Sequence, residues 1–171
     1  VKIKAANKEV ALFVNHWKSK SGGEEETEIW RDWQEAVLSE YILQYCNNAA
    51  DKASFVVCGD FNRSAEDFVI SPDGKSGTNT VFRSADNSQI CVYSPWLDKN
   101  GKCQQDSGSY CYNDEWERID NIFAGKNSDI YRFQAVSIPP LVDSDGKPDA
   151  YKLYNDSGYS DHLPLKCVLV L

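Results

Sequence analysis

The order of apolar and polar positions divides this chain into short strands around one long helix. Lys2 to Ala5 and Val10 to Asn15 read as the arms of a hairpin that turns around Asn7-Lys8. A polar, glycine-containing turn at Ser19 to Gly23 follows. Three consecutive glutamates, Glu24, Glu25 and Glu26, then open a helix, where negative charge suits the N-terminal dipole. Trp30, Trp33, Val37, Tyr41 and Tyr45 recur at spacings of three and four, which predicts one buried helical face used for core packing. Asn47 to Lys52 ends the helix. Phe55 to Gly59 is a short continuous apolar run of the kind buried on both faces of a sheet. Ser71 to Gly108, rich in Ser, Asn, Asp and Gly, predicts long loops around one short strand near Gln89 to Tyr93. Ile119 to Ala124 and Phe133 to Ile138 read as strands, Pro139 to Gly158 as another long loop, and Leu165 to Leu171 as a final strand. Loops this long in a compact domain are functional or disordered. No repeat or linker divides the chain, so a single α/β domain over residues 1–171 is expected.

Composition narrows the class. A length of 171 residues and 42% hydrophobic content support one domain with its own core. No stretch approaches the ~20 apolar residues that span a bilayer, so no membrane span is expected. No signal peptide is visible. The chain lacks methionine, so Val1 is not read as a native translation start. The net charge of −8 repels phosphate backbones at long range and lowers the expectation of non-specific nucleic-acid binding. It leaves room for a small phosphate site carrying its own cation. Cys46, Cys58, Cys91, Cys103, Cys111 and Cys167 are even in number, which permits disulfides and suggests an oxidising compartment. A bridge among Cys91, Cys103 and Cys111 would staple a loop-like stretch, whereas Cys58 and Cys167 lie in apolar runs that suit buried thiols. No CxxC occurs and only two histidines are present, which argues against structural zinc.

Candidate chemistry concentrates in four short motifs, each at or beside a predicted strand end: Asn15-His16-Trp17-Lys18-Ser19, Gly59-Asp60-Phe61-Asn62, Trp116-Glu117-Arg118-Ile119-Asp120 and Ser160-Asp161-His162. Gly108-Ser109-Tyr110 precedes the third. Acidic and imidazole groups at the mouths of buried strands are where α/β enzymes place chemistry. Taken singly, each motif has a structural reading. Gly59-Asp60 could be a capped turn, Asp120 could pair with Arg118 on the surface, and His16 could satisfy a backbone carbonyl. Arg31 reads as an i, i+4 partner of Glu35 on the helix, with help in binding phosphate as the alternative.

Taken in order, the motifs resemble those of the endonuclease/exonuclease/phosphatase superfamily, and the resemblance runs from about Val10 to Leu171. It implies a four-layer α/β sandwich, two packed mixed sheets flanked by helices, and a metal-dependent hydrolase of phosphate esters. Within it, His162 resembles the general base that activates water, or a phosphate-binding group. Asp120 resembles the carboxylate that fixes the tautomer of that histidine. Asp161 resembles a ligand of Mg²⁺ or Mn²⁺, and neighbours along a strand point to opposite faces, so it need not share the task of His162. Asp60 and Asn62, two apart and so aimed alike by an extended backbone, resemble the pair that orients the nucleophile and holds the phosphate. His16 resembles the second histidine, which donates to a phosphoryl oxygen.

The resemblance also implies an earlier strand carrying an asparagine and a metal-binding glutamate that this chain does not contain. The chain is therefore expected to be the C-terminal portion of such a domain, with its missing N-terminal segment as a partner. Alone it would expose apolar surface and an unpaired edge, bind metal poorly, and turn over slowly, if at all. The Asn15 to Lys20 segment and Gly108 to Asp120 are similar to secreted bacterial members, which points to an extracellular or periplasmic location. Three functions remain open: a phosphodiesterase or nuclease acting on a phosphate-ester substrate that includes nucleic acid, a phosphomonoesterase of lipid or inositol phosphates, and a non-catalytic binding fragment.

Overall fold

The computed structural model describes residues 1–5, 8–49, 53–70 and 78–171. The hairpin arms are β1 (Lys2–Ala5) and β2 (Lys8–His16), paired antiparallel. The turn residue Asn7, residues 50–52 at the predicted helix end and residues 71–77 of the predicted 71–108 loop lie outside the described residues. Helix α1 (Glu24–Ala49) carries the chain back so that β3 (Phe55–Asp60) runs parallel to β2, the crossover that a parallel pair requires. β9 (Asp120–Ala124) lies antiparallel on the other side of β3. The result is a mixed sheet in the order β1-β2-β3-β9, the α/β character that the strand pattern predicts. Phe55, Val56 and Val57 of β3 are all buried, as a strand covered on both faces must be.

A second sheet joins β4 (Val69–Ile70), β5 (Thr80–Arg83) and β6 (Gln89–Val92). Two ribbons complete the strands: β7 (Tyr110–Tyr112) with β8 (Glu115–Glu117), and β10 (Asp129–Ala135) with β11 (Leu165–Val170). β4, β5, β7 and β8 fall where the sequence pattern predicts no strand, and β10 begins four residues before the expected start. The β7–β8 hairpin did have a signal. Asn113 and Asp114 take φ of 49° and 66°, the pair of left-handed residues that a tight hairpin turn demands.

The core lies between the sheets and under α1. Leu38 and Ile42 of α1 meet Phe55, Val57, Phe82 and Phe123. Trp17, Phe61, Phe68, Phe82 and Phe123 form an aromatic chain with centroids 4.9 to 5.9 Å apart, mostly edge to face. Two of its members, Trp17 and Phe61, each directly follow a candidate site residue in sequence, so core packing pins both strand ends. A smaller cluster joins Trp96 and Leu97 to Phe133 and Leu165.

The helix differs from its expected orientation. Its buried positions are Thr27, Arg31, Glu35, Leu38, Ser39 and Ile42, while Trp30, Trp33 and Tyr41 are exposed. Trp33 and Tyr41 instead border a surface groove with Val14 and Val37. The physical reason is a polar network beneath the helix. Arg31, fully buried, pairs with Glu28 at 2.6 Å and donates to the Glu24 carbonyl and the Thr27 hydroxyl. Glu35 does not pair with Arg31; it binds Arg63 at 2.5 Å and accepts from the Arg83 amide. The six cysteines are free thiols in this structure, without the disulfide staple that the sequence permits. No described helix is long and apolar enough to cross a membrane. Tyr131, Val168 and Val170, on one face of the β10–β11 ribbon by its register, are exposed.

Candidate active site

Three neighbouring strands bring their chemistry to one level. Parallel register sets His16, the last residue of β2, beside Asp60, the last of β3. Antiparallel register sets Asp60 beside Asp120, the first of β9. The row His16–Asp60–Asp120 is thus a consequence of backbone pairing before any side chain is considered. The approach is close enough to dictate Gly59. Its φ is 132°, and a Cβ there would sit 1.9 Å from the Asn15 carbonyl oxygen on β2.

His162 arrives from a different part of the chain and is tied down by Ser109. The buried Ser109 accepts from the Leu163 amide through its carbonyl at 2.7 Å, and its hydroxyl accepts from the Asp120 amide at 3.2 Å. Tyr110 and His162 form an isolated antiparallel bridge. One serine therefore couples the segments that carry the acid and the imidazole. The Gly108-Ser109-Tyr110 motif had no assigned role; its function depends on contacts that a short loop motif does not reveal.

The outcome is a short contact between His162 Nδ1 and Asp120 Oδ2 at 2.7 Å. Burial alone would lower the pKa of His162, but the Asp120 hydrogen bond and charge, with Asp60 and Asp161, raise it above 6.5. Asp60 is likewise raised, first by burial, against the lowering effect of the Asn62 amide that it accepts at 2.8 Å. His16 Nε2 lies 3.6 Å from Asp60 Oδ2, with its side chain 78% exposed. Arg118 does not pair with Asp120. It binds Glu66 at 2.9 Å and donates to the Gln105 carbonyl.

A cleft of about 690 Å³ opens over this row, bordered by His16, Asp60, Asn62, Asp161 and His162. Five of the six residues singled out from sequence thus share one cavity wall, and Asp120 stands behind His162. Two geometric expectations change. Asn62 is not extended; at φ 46° it curls back so that its amide donates to Asp60 and its side chain to the Trp17 carbonyl at 3.1 Å. Asp161 and His162 both face the cleft, because their segment is a bend rather than a strand.

Asp60, Asp120 and His162 each offer a ligand atom within 4.8 Å of the others. Two carboxylates and an imidazole are a donor set that fits a divalent cation. Asp161, the residue that the sequence singles out for metal, is exposed at the cleft and stands outside that trio. Lys20 and the tyrosines of β7 also border the cleft and were not anticipated.

The chain was compared with known proteins. The family model described as the endonuclease/exonuclease/phosphatase family matches residues 1–170. No curated protein matches the chain.

Proposed function

Because the chain belongs to the endonuclease/exonuclease/phosphatase family, whose members hydrolyse phosphate esters, we propose that its cleft cleaves phosphodiesters, with His162 as the base that activates water. The observation that carries this reading is the Asp120–His162 contact at 2.7 Å, set against Asp60 and His16 in one register row.

With Nδ1 held by Asp120, His162 keeps Nε2 for proton transfer. In the reaction a water oxygen bonds to phosphorus as its proton passes to Nε2, the bond from phosphorus to the ester oxygen breaks, and that oxygen leaves as an alkoxide that takes a proton from solvent. The Asp120 carboxylate fixes the ring and stabilises the imidazolium that forms. Asn62, locked by Asp60 and the Trp17 carbonyl, borders the place of the phosphate without reorganising. His16, exposed at the rim, donates to a non-bridging oxygen. A divalent cation, Mg²⁺ or Mn²⁺, would be held by carboxylate oxygens of Asp60 and Asp120, with Asp161 exposed at the mouth of the cleft, and would supply neutralisation of charge on the phosphoryl group.

The test is a hydrolysis panel with plasmid DNA, a chromogenic phosphodiester and an inositol phosphate, run with Mg²⁺, with Mn²⁺ and with EDTA. Cation-dependent release of product from a phosphodiester is expected. Failure on every substrate with both cations overturns the proposal.

A further inference from the structure

The cleft is unusual in its charge and in one of its walls. Among its described lining residues Lys20 is the one lysine or arginine, set against Glu24, Asp60, Glu117 and Asp161. Its charge is already taken: Nζ lies 2.8 Å from Glu24 and 2.7 Å from Glu117. A substrate with several phosphates would find no unpaired lysine or arginine among those residues and would meet Asp161 beside the scissile group. The opposite invitation comes from β7. Strand alternation puts Tyr110 and Tyr112 on one face, with rings parallel to within 6° and centroids 6.4 Å apart. Tyr110 leans on the His162 ring at 4.9 Å, and Tyr112 is 59% exposed. Imidazole and two phenols therefore form an aromatic row that starts at the reacting centre and runs out to solvent.

We propose, building on the hydrolase reading above, that Tyr110 and Tyr112 determine specificity by stacking a planar, uncharged ring carried on the scissile phosphodiester. The substrate class is a single-stranded nucleotide phosphodiester, not a polyphosphorylated headgroup. A base can lie on such a row only when it is free of its own helix stack, and stacking on an aromatic side chain tolerates every base. The net charge of −8 is consistent with this choice, since duplex binding rests on many released counterions and therefore on many free cations. The Lys20 bridge holds the floor of the cleft against the hairpin through Glu117, keeping the row at a fixed distance from the catalytic groups.

The test uses a dinucleoside monophosphate containing 2-aminopurine, whose fluorescence is quenched on stacking. It is titrated with the protein in EDTA and, over the first seconds, in Mg²⁺. Quenching is expected, and Tyr112→Ala should weaken binding by about tenfold. Tyr112→Phe should restore it, whereas Tyr112→Leu, apolar but not planar, should not. Because Tyr112 is exposed, these variants leave the core untouched. Unlabelled dithymidine monophosphate should displace the probe at concentrations where inositol trisphosphate does not. No quenching in either buffer, equal binding by Tyr112→Ala, full rescue by Tyr112→Leu, or equal competition by the trisphosphate overturns the proposal. Quenching in EDTA is independent of turnover, so intact quenching without cleavage supports the aromatic row and counts against the hydrolase reading alone.

Discussion

The hydrogen bond between Asp120 and His162 makes the site testable one residue at a time. In the metal-free protein, His162 should titrate above 6.5, since Asp120 outweighs the effect of burial. Asp120→Asn should bring that pKa down, read by the histidine ring protons in an NMR titration. The sign of the linkage follows. The charged pair stabilises the fold fully below the unfolded value of about 6.5, and that contribution is lost as pH rises through the raised folded value. Activity should run the other way, increasing over the same window as Nε2 becomes free to accept a proton. Gly59→Ala should lower stability by about 2 kcal/mol or more in chemical denaturation, because an L residue is strained at φ 132° and its Cβ would strike the Asn15 carbonyl. At this scale much was legible beforehand. His16, Asp60, Asn62, Asp161 and His162 border one cleft because strand ends are where polar residues interrupt apolar runs. Ser109 was not legible, for its value lies in two contacts made across the fold.

The element that departs furthest from its sequence pattern is the helix α1. Trp30, Trp33 and Tyr41 repeat like a buried stripe yet are exposed, while Tyr45 packs partly against the core; the stripe that faces inward is Thr27, Arg31, Glu35 and Ser39 with Leu38 and Ile42. Polar groups can be buried there because Arg63, next to the site residue Asn62, reaches Glu28, Asp32 and Glu35. Arg63 also lies over the rings of Trp17 and Phe68 at 5.7 and 5.4 Å. No periodicity in the helix announces a partner that lies on another element. Arg63→Met should cost about 3–5 kcal/mol, since it strands the buried Glu35 carboxylate without its cation. Trp33→Ala, on the exposed face, should cost less than about 1 kcal/mol, as most surface replacements do. Thermal denaturation of the two variants distinguishes this helix orientation from the one that the aromatic spacing suggests, which would reverse the ranking.

Across the whole molecule, strands β2, β3, β9 and β11 were readable from their apolar runs, while the joining of strands into a mixed sheet was implied by the family resemblance. Strands β4, β5, β7 and β8 were not readable, because each has only two to four residues set in polar, loop-like sequence, although β6, equally short, did stand out. The disulfides that an even cysteine count permits are not formed here, since cysteine number says nothing of which side chains meet. The acidic balance acquires a local meaning at this scale. It extends into the cleft, which Glu24, Asp60, Glu117 and Asp161 line, and Asp60 belongs also to the trio that suits a divalent cation. Removal of that cation with EDTA should abolish turnover, and Mg²⁺ or Mn²⁺ should restore it. The central claim is that imidazole and carboxylate groups from four distant segments act together on one phosphate. The most direct measurement is the single-turnover rate of phosphodiester hydrolysis by the wild type and by His162→Ala, each saturated with Mg²⁺. A loss of about 10²–10⁴-fold in the variant is the expected result; equal rates would contradict the account.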